Sequence, residues 1–297
     1  PLGIAAAKIA SGLARGVLGG GVESASRCPW LLEKTARAYA YGEPRPYPVR
    51  LAPEEIGDPP MGETAEILAD ELGIGREEMD RFAFDSHRRA ATARESGRFD
   101  AEVLPLEVPR RKGEPIRFDR DESVRPDASL ETLGRLKPVF REDGRVTAGN
   151  ASPLSDGAAA CVAASAEAFE AAGVEPQAWL TGITTVALEP RRMGMGPAIA
   201  VPRLLEARGW RMPDVELFEI NEAFAAQILA VNRQLDVPPD LLNPDGGAVA
   251  LGHPLGATGL RLVVTLVHGL RHRGLERGVA SLCVGGGQGM AASLERV

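Results

Sequence analysis

The feature that most constrains this chain is a polar pair at the end of an apolar run. The segment VELFEI (215–220) reads as a buried strand, stops on Asn221–Glu222, and passes without a linker into the helical pattern NEAFAAQILAVNRQL (221–235). The same alternation follows downstream. GATGLRLVVTLVHGLRHRG (256–274) reads as a helix and GVASLCVGG (278–286) as a buried strand, after a helix over PAIAVPRLLEARG (197–209). Buried strands alternating with amphipathic helices give an α/β layered architecture. In open α/β sheets, ligands gather at the carboxyl ends of strands, which is where Asn221 stands.

Upstream, LGIAAAKIAS (2–11) reads as a helix closed by Gly12, and ARGVLGGG (14–21) as a short buried strand running into a glycine turn. Residues 27–60 are Pro-rich and irregular. Segments 62–74 and 76–97 read as two amphipathic helices, with Met79, Phe82, Ala83 and Ser86 on one face of the second. SDGAAACVAASAEAFEAAG (155–173) reads as a buried helical run, with Cys161 in the core. ARGVLGGG near the start and ERGVASLCVGGG near the end each follow a helix and run into three glycines, which suggests two similar halves, one incomplete.

Composition narrows the classes. The net charge is −7, so nothing global favours a nucleic-acid or membrane partner, although PRRKGEPIRFDR (109–120) offers a local basic stretch to an anion. The 3 cysteines, Cys28, Cys161 and Cys283, are widely spaced, which fits neither a disulfide framework nor a metal site and suits a reducing, cytoplasmic setting. No apolar run is long enough to span a membrane.

Three segments concentrate chemistry. Asn221 serves either a ligand or the cap of the following helix, where Glu222 would complement the dipole. His253, in GGAVALGHPLGATG, lies among glycines that let a ligand approach the backbone; the alternative is a satisfied core histidine. His87, His268 and His272 read as surface residues. Cys283, in SLCVGGGQGM, is a base, a nucleophile or a small core residue. Beside backbone N–H groups and a histidine, a thiol can fall to about 7 or below. The GGGQG run is not a dinucleotide fingerprint, because Met290 follows Gly289.

Together, NEAFAAQ (221–227), NPDGGAVALGHPLGATGLR (243–261) and LCVGGGQGMA (282–291) resemble the signature blocks of the thiolases, the acetyl-CoA C-acyltransferases. GGVESAS (20–26), MGETAE (61–66), LKPVF (136–140) and TAGNASPLSDGAAA (147–160) match as well. The resemblance implies a layered α/β/α/β/α fold with an inserted loop domain. A remnant N-terminal domain would comprise 1–26 and 148–175, a loop domain 27–147 and a C-terminal domain 176–297. It implies acyl transfer on coenzyme A thioesters, with coenzyme A or acyl-CoA as substrate, no permanently bound cofactor, and a homodimer or homotetramer. Cys283 matches the acid/base cysteine, His253 the histidine that activates the nucleophile and holds an oxyanion, Asn221 the asparagine of that oxyanion site, and Gly285 the donor of a second one. Phe140, Ala151, Ser152, Ala223, Phe224 and Leu255 match the pantetheine tunnel, Met193 the acyl pocket, and Arg111 falls in the loop approaching the nucleotide end.

The nucleophilic cysteine of the family has no match here: Cys28 and Cys161 fall in the wrong blocks, and the resemblance would put it before Pro1. The first half-domain is therefore expected to be incomplete and the chain inactive by itself. The alternative is a non-catalytic thiolase-fold module that binds coenzyme A or lipid. The intact GHP and CVGGG blocks favour the enzyme.

Overall fold

In the computed structural model, which describes residues 1–34, 45–47 and 49–297, the chain runs as follows. Helix α1 (Leu2–Ala10) leads to β1 (Gly16–Ser24), then α2 (Met61–Leu72), α3 (Arg76–Glu95), the short pair β2 (Leu106–Val108) and β3 (Ile116–Phe118), and α4 (Leu130–Gly134). After β4 (Asp156–Ala164), α5 (Ala166–Ala172) and β5 (Ala178–Ala187) come α6 (Gly196–Arg208), β6 (Leu217–Ile220), α7 (Ala225–Leu235), α8 (Ala248–Leu251), α9 (Leu255–Arg273), β7 (Arg277–Val284) and β8 (Gln288–Arg296). Part of the Pro-rich stretch, residues 35–44 and 48, lies outside the described residues.

Two sheets sandwich a helical layer. β1 and β4 form an antiparallel pair, and the second sheet has the order β5-β8-β7-β6 with only β6 and β7 parallel. Helix α9 packs on β1 and β4 with one side and on β6 and β7 with the other. Its apolar residues recur at helical spacing: Leu262, Leu266 and Leu270 are buried against Leu217 of β6, and Leu2 of α1 packs into the same cluster. Helix α6 covers the opposite face of the four-stranded sheet, in the main core with Phe218, Ile220 and Val279.

Three expectations from the sequence are corrected. The glycines of 14–21 form no turn; Gly19, Gly20 and Gly21 are within β1, whose burial is only intermittent. A side chain on Gly21 would meet Ala257 Cα of α9 at 3.0 Å, so their absence lets the helix lie on the strand. The run 155–173 is not one helix. Its first part is β4, paired residue for residue with β1 from Gly16↔Ala164 to Ser24↔Asp156, and α5 starts only after the Ser165 cap. Small residues fit both states, and the partner strand decided between them. Cys161, read as core, is half-buried on β4 opposite Gly19. Strands β5 and β8, which the sequence reading left unassigned, complete the second sheet.

Candidate active site

The site forms where β6 and β7 end side by side. Their register pairs Ile220 with Ser281, and the Asn221 amide continues the ladder by donating to the Ser281 carbonyl at 2.9 Å. Asn221 therefore emerges just past the strand, and Cys283 stands two residues beyond Ser281 on the neighbouring one. Asn243 steadies this end. Its side chain accepts from the Ile220 N–H at 2.8 Å and donates to the Ile220 carbonyl at 2.8 Å, imitating a strand partner.

Neither Asn221 nor Glu222 belongs to the helix start, as the sequence had allowed. Helix α7 opens at Ala225 with Phe224 in the cap position. Glu222 is buried, and its carboxylate accepts from Ser86 Oγ at 2.7 Å, Asn243 Nδ2 at 2.9 Å and the Val249 N–H at 3.2 Å. It ties α3, the turn at 243 and α8 to the strand end.

His253 arrives from the other side, on the turn between α8 and α9. Asn221 Nδ2 lies 3.2 Å from its Nε2, and Thr258 Oγ1 lies 2.7 Å from its Nδ1. The Thr258 hydroxyl donates to the Pro254 carbonyl at 2.9 Å, so its oxygen accepts from the ring. That fixes the tautomer: the proton is on Nδ1, and the Nε2 lone pair accepts from Asn221. Burial, helped by the Arg261 charge, lowers the imidazole to about 4. The segment 150–155 is stitched between the two loops. Ser152 donates to the Ala223 carbonyl through both N–H (3.0 Å) and Oγ (2.9 Å), and the His253 N–H donates to the Pro153 carbonyl at 3.3 Å.

Cys283 is 8% exposed and packs with Met193 and Ala223, with Met61 and Phe224 at the edge of the cluster. Its thiol is pushed up to about 12 by burial, which corrects the expected fall toward neutrality. At pH 7 both Cys283 and His253 are therefore uncharged. The turn after Cys283 holds Gly286 at φ 85° and Gly287 at φ 90° before β8 begins. A side chain on Gly285 would collide with Leu51 Cδ1 at 2.5 Å, and Met61 Sδ stands close by at 3.4 Å.

A cavity of about 400 Å³ is lined by His87, Arg125, Asp127, Thr132, Ala151 and Pro153 among others, the last two in the segment that is bonded to the Ala223 and His253 loops. Phe140 and Phe224 meet edge to face, ring centroids 6.1 Å apart. A Cβ on Gly62 would fall within the Phe140 ring, so α2 can approach that ring only through a glycine. Leu255, at the first turn of α9, is 61% exposed. Arg111 lies in the exposed turn between β2 and β3 and does not line the cavity; Arg125 does. His87 is not a surface residue. It is buried, lowered by desolvation, and accepts the Arg125 N–H at 3.2 Å. Sequence reasoning missed Arg125, His87 and Thr132. The turn VRPDAS before α4 was the available signal, but nothing local ties it to a histidine 38 residues earlier. Among the described residues, no group of His, Cys, Asp and Glu could hold a metal ion, and no helix is long and apolar enough to cross a membrane.

Comparison with known proteins adds to this geometry. Residues 2–167 match the protein-family model "Thiolase, N-terminal domain" and residues 174–296 match "Thiolase, C-terminal domain". An acetyl-CoA acetyltransferase of Chromobacterium violaceum is 43% identical over 301 residues, covering 99% of this chain and 76% of that protein. A probable acetyl-CoA acyltransferase of Staphylococcus epidermidis is 44% identical over 283 residues, covering 94% and 72%. Among solved structures, the acetyl-CoA acetyltransferase of Bacillus anthracis superimposes with a TM-score of 0.93 at 43% identity, over 100% of this chain and 75% of that one. The human mitochondrial 3-ketoacyl-CoA thiolase in complex with CoA does so with a TM-score of 0.91 at 38% identity, over 100% and 74%.

Proposed function

The chain belongs to the thiolase family of acyltransferases, and we propose that it acts on acyl-coenzyme A thioesters, with Cys283 as proton donor and acceptor and His253 as base and oxyanion donor. The observation that carries this reading is the Asn221–His253–Thr258 chain. It presents a neutral imidazole whose Nε2 accepts from Asn221 at the end of β6, the strand paired with the β7 that carries Cys283.

The two shifted groups suit a two-stage reaction. In acyl uptake an incoming thiol gives its proton to His253 Nε2, and its sulfur attacks the thioester carbonyl. The C–S bond to coenzyme A breaks, and the leaving sulfur takes the Cys283 proton. Burial keeps that proton on Cys283 until a thiolate leaving group claims it. In condensation the resulting Cys283 thiolate removes the α-proton of a second acyl-CoA. The carbanion forms a C–C bond with the acyl carbonyl, the thioester C–S bond to the sulfur that carried the acyl group breaks, and that sulfur takes back the proton held on His253 Nε2. Thiolysis reverses each step. His253, protonated at Nε2, then faces one developing oxyanion with Asn221, and the backbone N–H of Gly285 faces another. The pantetheine arm runs past Phe140, Phe224, Ala223, Ser152, Ala151 and Leu255, Met193 bounds the acyl end, and Arg125 meets the nucleotide end. Coenzyme A enters as substrate, and no resident cofactor is invoked.

Cys28 is exposed beyond β1 and Cys161 is on β4, so neither supplies the acyl-carrying thiol beside His253. These 297 residues by themselves are accordingly expected to show little acetoacetyl-CoA thiolysis, a loss on the order of 10⁶. The function is tested at the proton-transfer step. With a small thiol supplied as acyl acceptor, the chain should in D₂O exchange the methyl protons of acetyl-CoA, read by NMR, and Cys283→Ala should abolish that exchange. Coenzyme A binding with no exchange would instead establish the binding-module reading. The chain is assigned to the cytoplasm and to a homodimer or homotetramer. The oligomer is supported by the apolar outer face of the β1–β4 pair, where Leu18 is 75% and Val162 63% exposed; light scattering on the purified chain tests it.

A further inference from the structure

The cavity of about 400 Å³ presents three polar side chains with bonding capacity to spare, and they meet at one turn. Arg125, Pro126, Asp127 and Ala128 form it. Proline fixes the second position, and the Ala128 N–H closes the turn on the Arg125 carbonyl at 3.2 Å. The turn hangs on α3, because the Arg125 N–H donates to His87 Nδ1 at 3.2 Å. His87 is 6% exposed, and burial holds it below its ordinary 6.5, so at pH 7 its ring carries one proton. With Nδ1 accepting, that proton is on Nε2. Nε2 has no partner among the described residues and is not one of the sealed unpartnered atoms, so it opens on the cavity that His87 lines. The Arg125 and Asp127 side chains make no hydrogen bond or ion pair among the described residues, either with each other or with a third group. The hydroxyls nearby are spent: Ser123 Oγ donates to the Ala250 carbonyl at 2.9 Å and Thr132 Oγ1 to the Ser129 carbonyl at 2.9 Å.

The cavity thus offers one uncharged N–H donor, one carboxylate and one guanidinium. A ligand end made of phosphate alone would satisfy Arg125 and be repelled by Asp127. A donor beside an acceptor-only group fits instead a heterocycle that carries a ring nitrogen next to an amine, which is the edge of adenine. We propose that His87 and Asp127 are specificity residues for the base of the nucleotide: the His87 Nε2–H donates to a ring nitrogen of adenine, the Asp127 carboxylate accepts from the exocyclic amine, and Arg125 is left for the phosphates. Hypoxanthine and guanine present a carbonyl where adenine has its amine, and that oxygen would face the Asp127 carboxylate. The assignment rests on the reading of the chain as acting on acyl-coenzyme A, and it adds which atoms of the coenzyme the cavity selects. The turn supplies the preorganisation. One imidazole holds the Arg125 amide with one nitrogen and aims its proton into the cavity with the other, so the base donor and the turn that carries Asp127 are fixed to each other.

The test is calorimetric and needs no turnover. Coenzyme A and its hypoxanthine analogue, which keeps the phosphates and the pantetheine arm, are each titrated into the 297-residue chain. The unaltered chain should favour coenzyme A by about tenfold or more. Asp127→Asn should bring the two ligands within about twofold of each other, because a carboxamide can turn either its N–H or its oxygen to the base. His87→Asn keeps an acceptor for the Arg125 amide and loses the atom that reaches the cavity; it should weaken coenzyme A binding about threefold to tenfold and shrink the preference. Arg125→Ala should weaken both ligands alike and leave their ratio in place. Equal affinity of the unaltered chain for the two ligands, a preference that survives Asp127→Asn, or one that collapses in Arg125→Ala would overturn the proposal, while coenzyme A binding would still uphold the reading it rests on. A chain that binds neither ligand would overturn both. Should His87→Asn fail to fold, Asp127→Asn still decides, since Asp127 is exposed.

Discussion

Thr258 Oγ1 sits 2.7 Å from His253 Nδ1 and passes its own proton to the Pro254 carbonyl at 2.9 Å, so one hydroxyl in the first turn of α9 sets which nitrogen of the ring is bare. Thr258→Val keeps the shape and removes the acceptor. The Nδ1–H is then buried without a partner, at a cost of about 1–3 kcal/mol. Urea unfolding should show that loss, and the ring ¹⁵N pattern should move toward the Nε2–H tautomer. A variant with the original tautomer and full stability would contradict the assignment.

The high Cys283 thiol predicts selective alkylation. Iodoacetamide at pH 8 should label exposed Cys28 readily and Cys283 at least ~10²-fold more slowly, because burial suppresses both thiolate and access. Peptide mass mapping over time reads both sites in one sample. Equal rates would mean that the Met193–Ala223 cluster does not seal the sulfur.

Two shifted groups give the stability a pH signature with opposite signs. His253 is depressed from 6.5 to about 4, so its contribution is complete above 6.5 and is lost as pH falls toward 4. The amount is on the order of 3 kcal/mol by proton linkage. Glu219 is raised from 4.5 to about 8, so its contribution is complete below 4.5 and is lost as pH rises through 8. Glu219→Gln should therefore gain on the unaltered chain between pH 5 and pH 9 in denaturant titrations, and a constant difference across that range would refute the assignment.

For the cavity, the two arginines separate cleanly. Arg125→Ala should weaken coenzyme A binding about 10- to 100-fold by calorimetry, the loss of a charge-assisted contact. Arg111→Ala, in its exposed hairpin turn, should stay within about twofold, as for surface charges generally. The reverse order would return the nucleotide end to the basic stretch 109–120.

Gly62→Ala probes the wall. The added methyl meets the Phe140 ring, which has to shift from its place against Phe224, at a cost of about 1–3 kcal/mol of the kind seen on overpacking. Thermal unfolding measures that cost, and the same calorimetric titration should show weaker coenzyme A binding.

The residues of the candidate site were easier to single out in the sequence than some of the strands around them. Asn221, His253 and Cys283 stood out because each interrupts an apolar pattern at a strand or helix boundary, and such interruptions are local. What stayed hidden depends on partners distant in sequence. Nothing within 155–173 separates strand from helix; the glycines of β1 decide it by offering Ala159, Ala160 and Cys161 a close neighbour. His87 looked like a surface residue because its helix face is charged, and only the fold brings the Arg125 amide to it. The protonation states were equally out of reach, since the sequence shows a thiol near N–H groups but not the water excluded around it.

The chain leaves the first sheet at Ser24 and re-enters it at Asp156, and these two residues face each other in register, with Ser26 donating from its N–H to the Asp156 carboxylate at 2.8 Å. The segment between is thus joined covalently to this sheet at one point, while its helices α2 and α3 pack against α7 and α8. Lengthening a loop whose ends are already held together costs only about 0.6 kcal/mol for each doubling. A lineage could lengthen, trim or exchange the Phe140 and Arg125 walls, and with them the choice of cargo, while Asn221 and His253 keep their places.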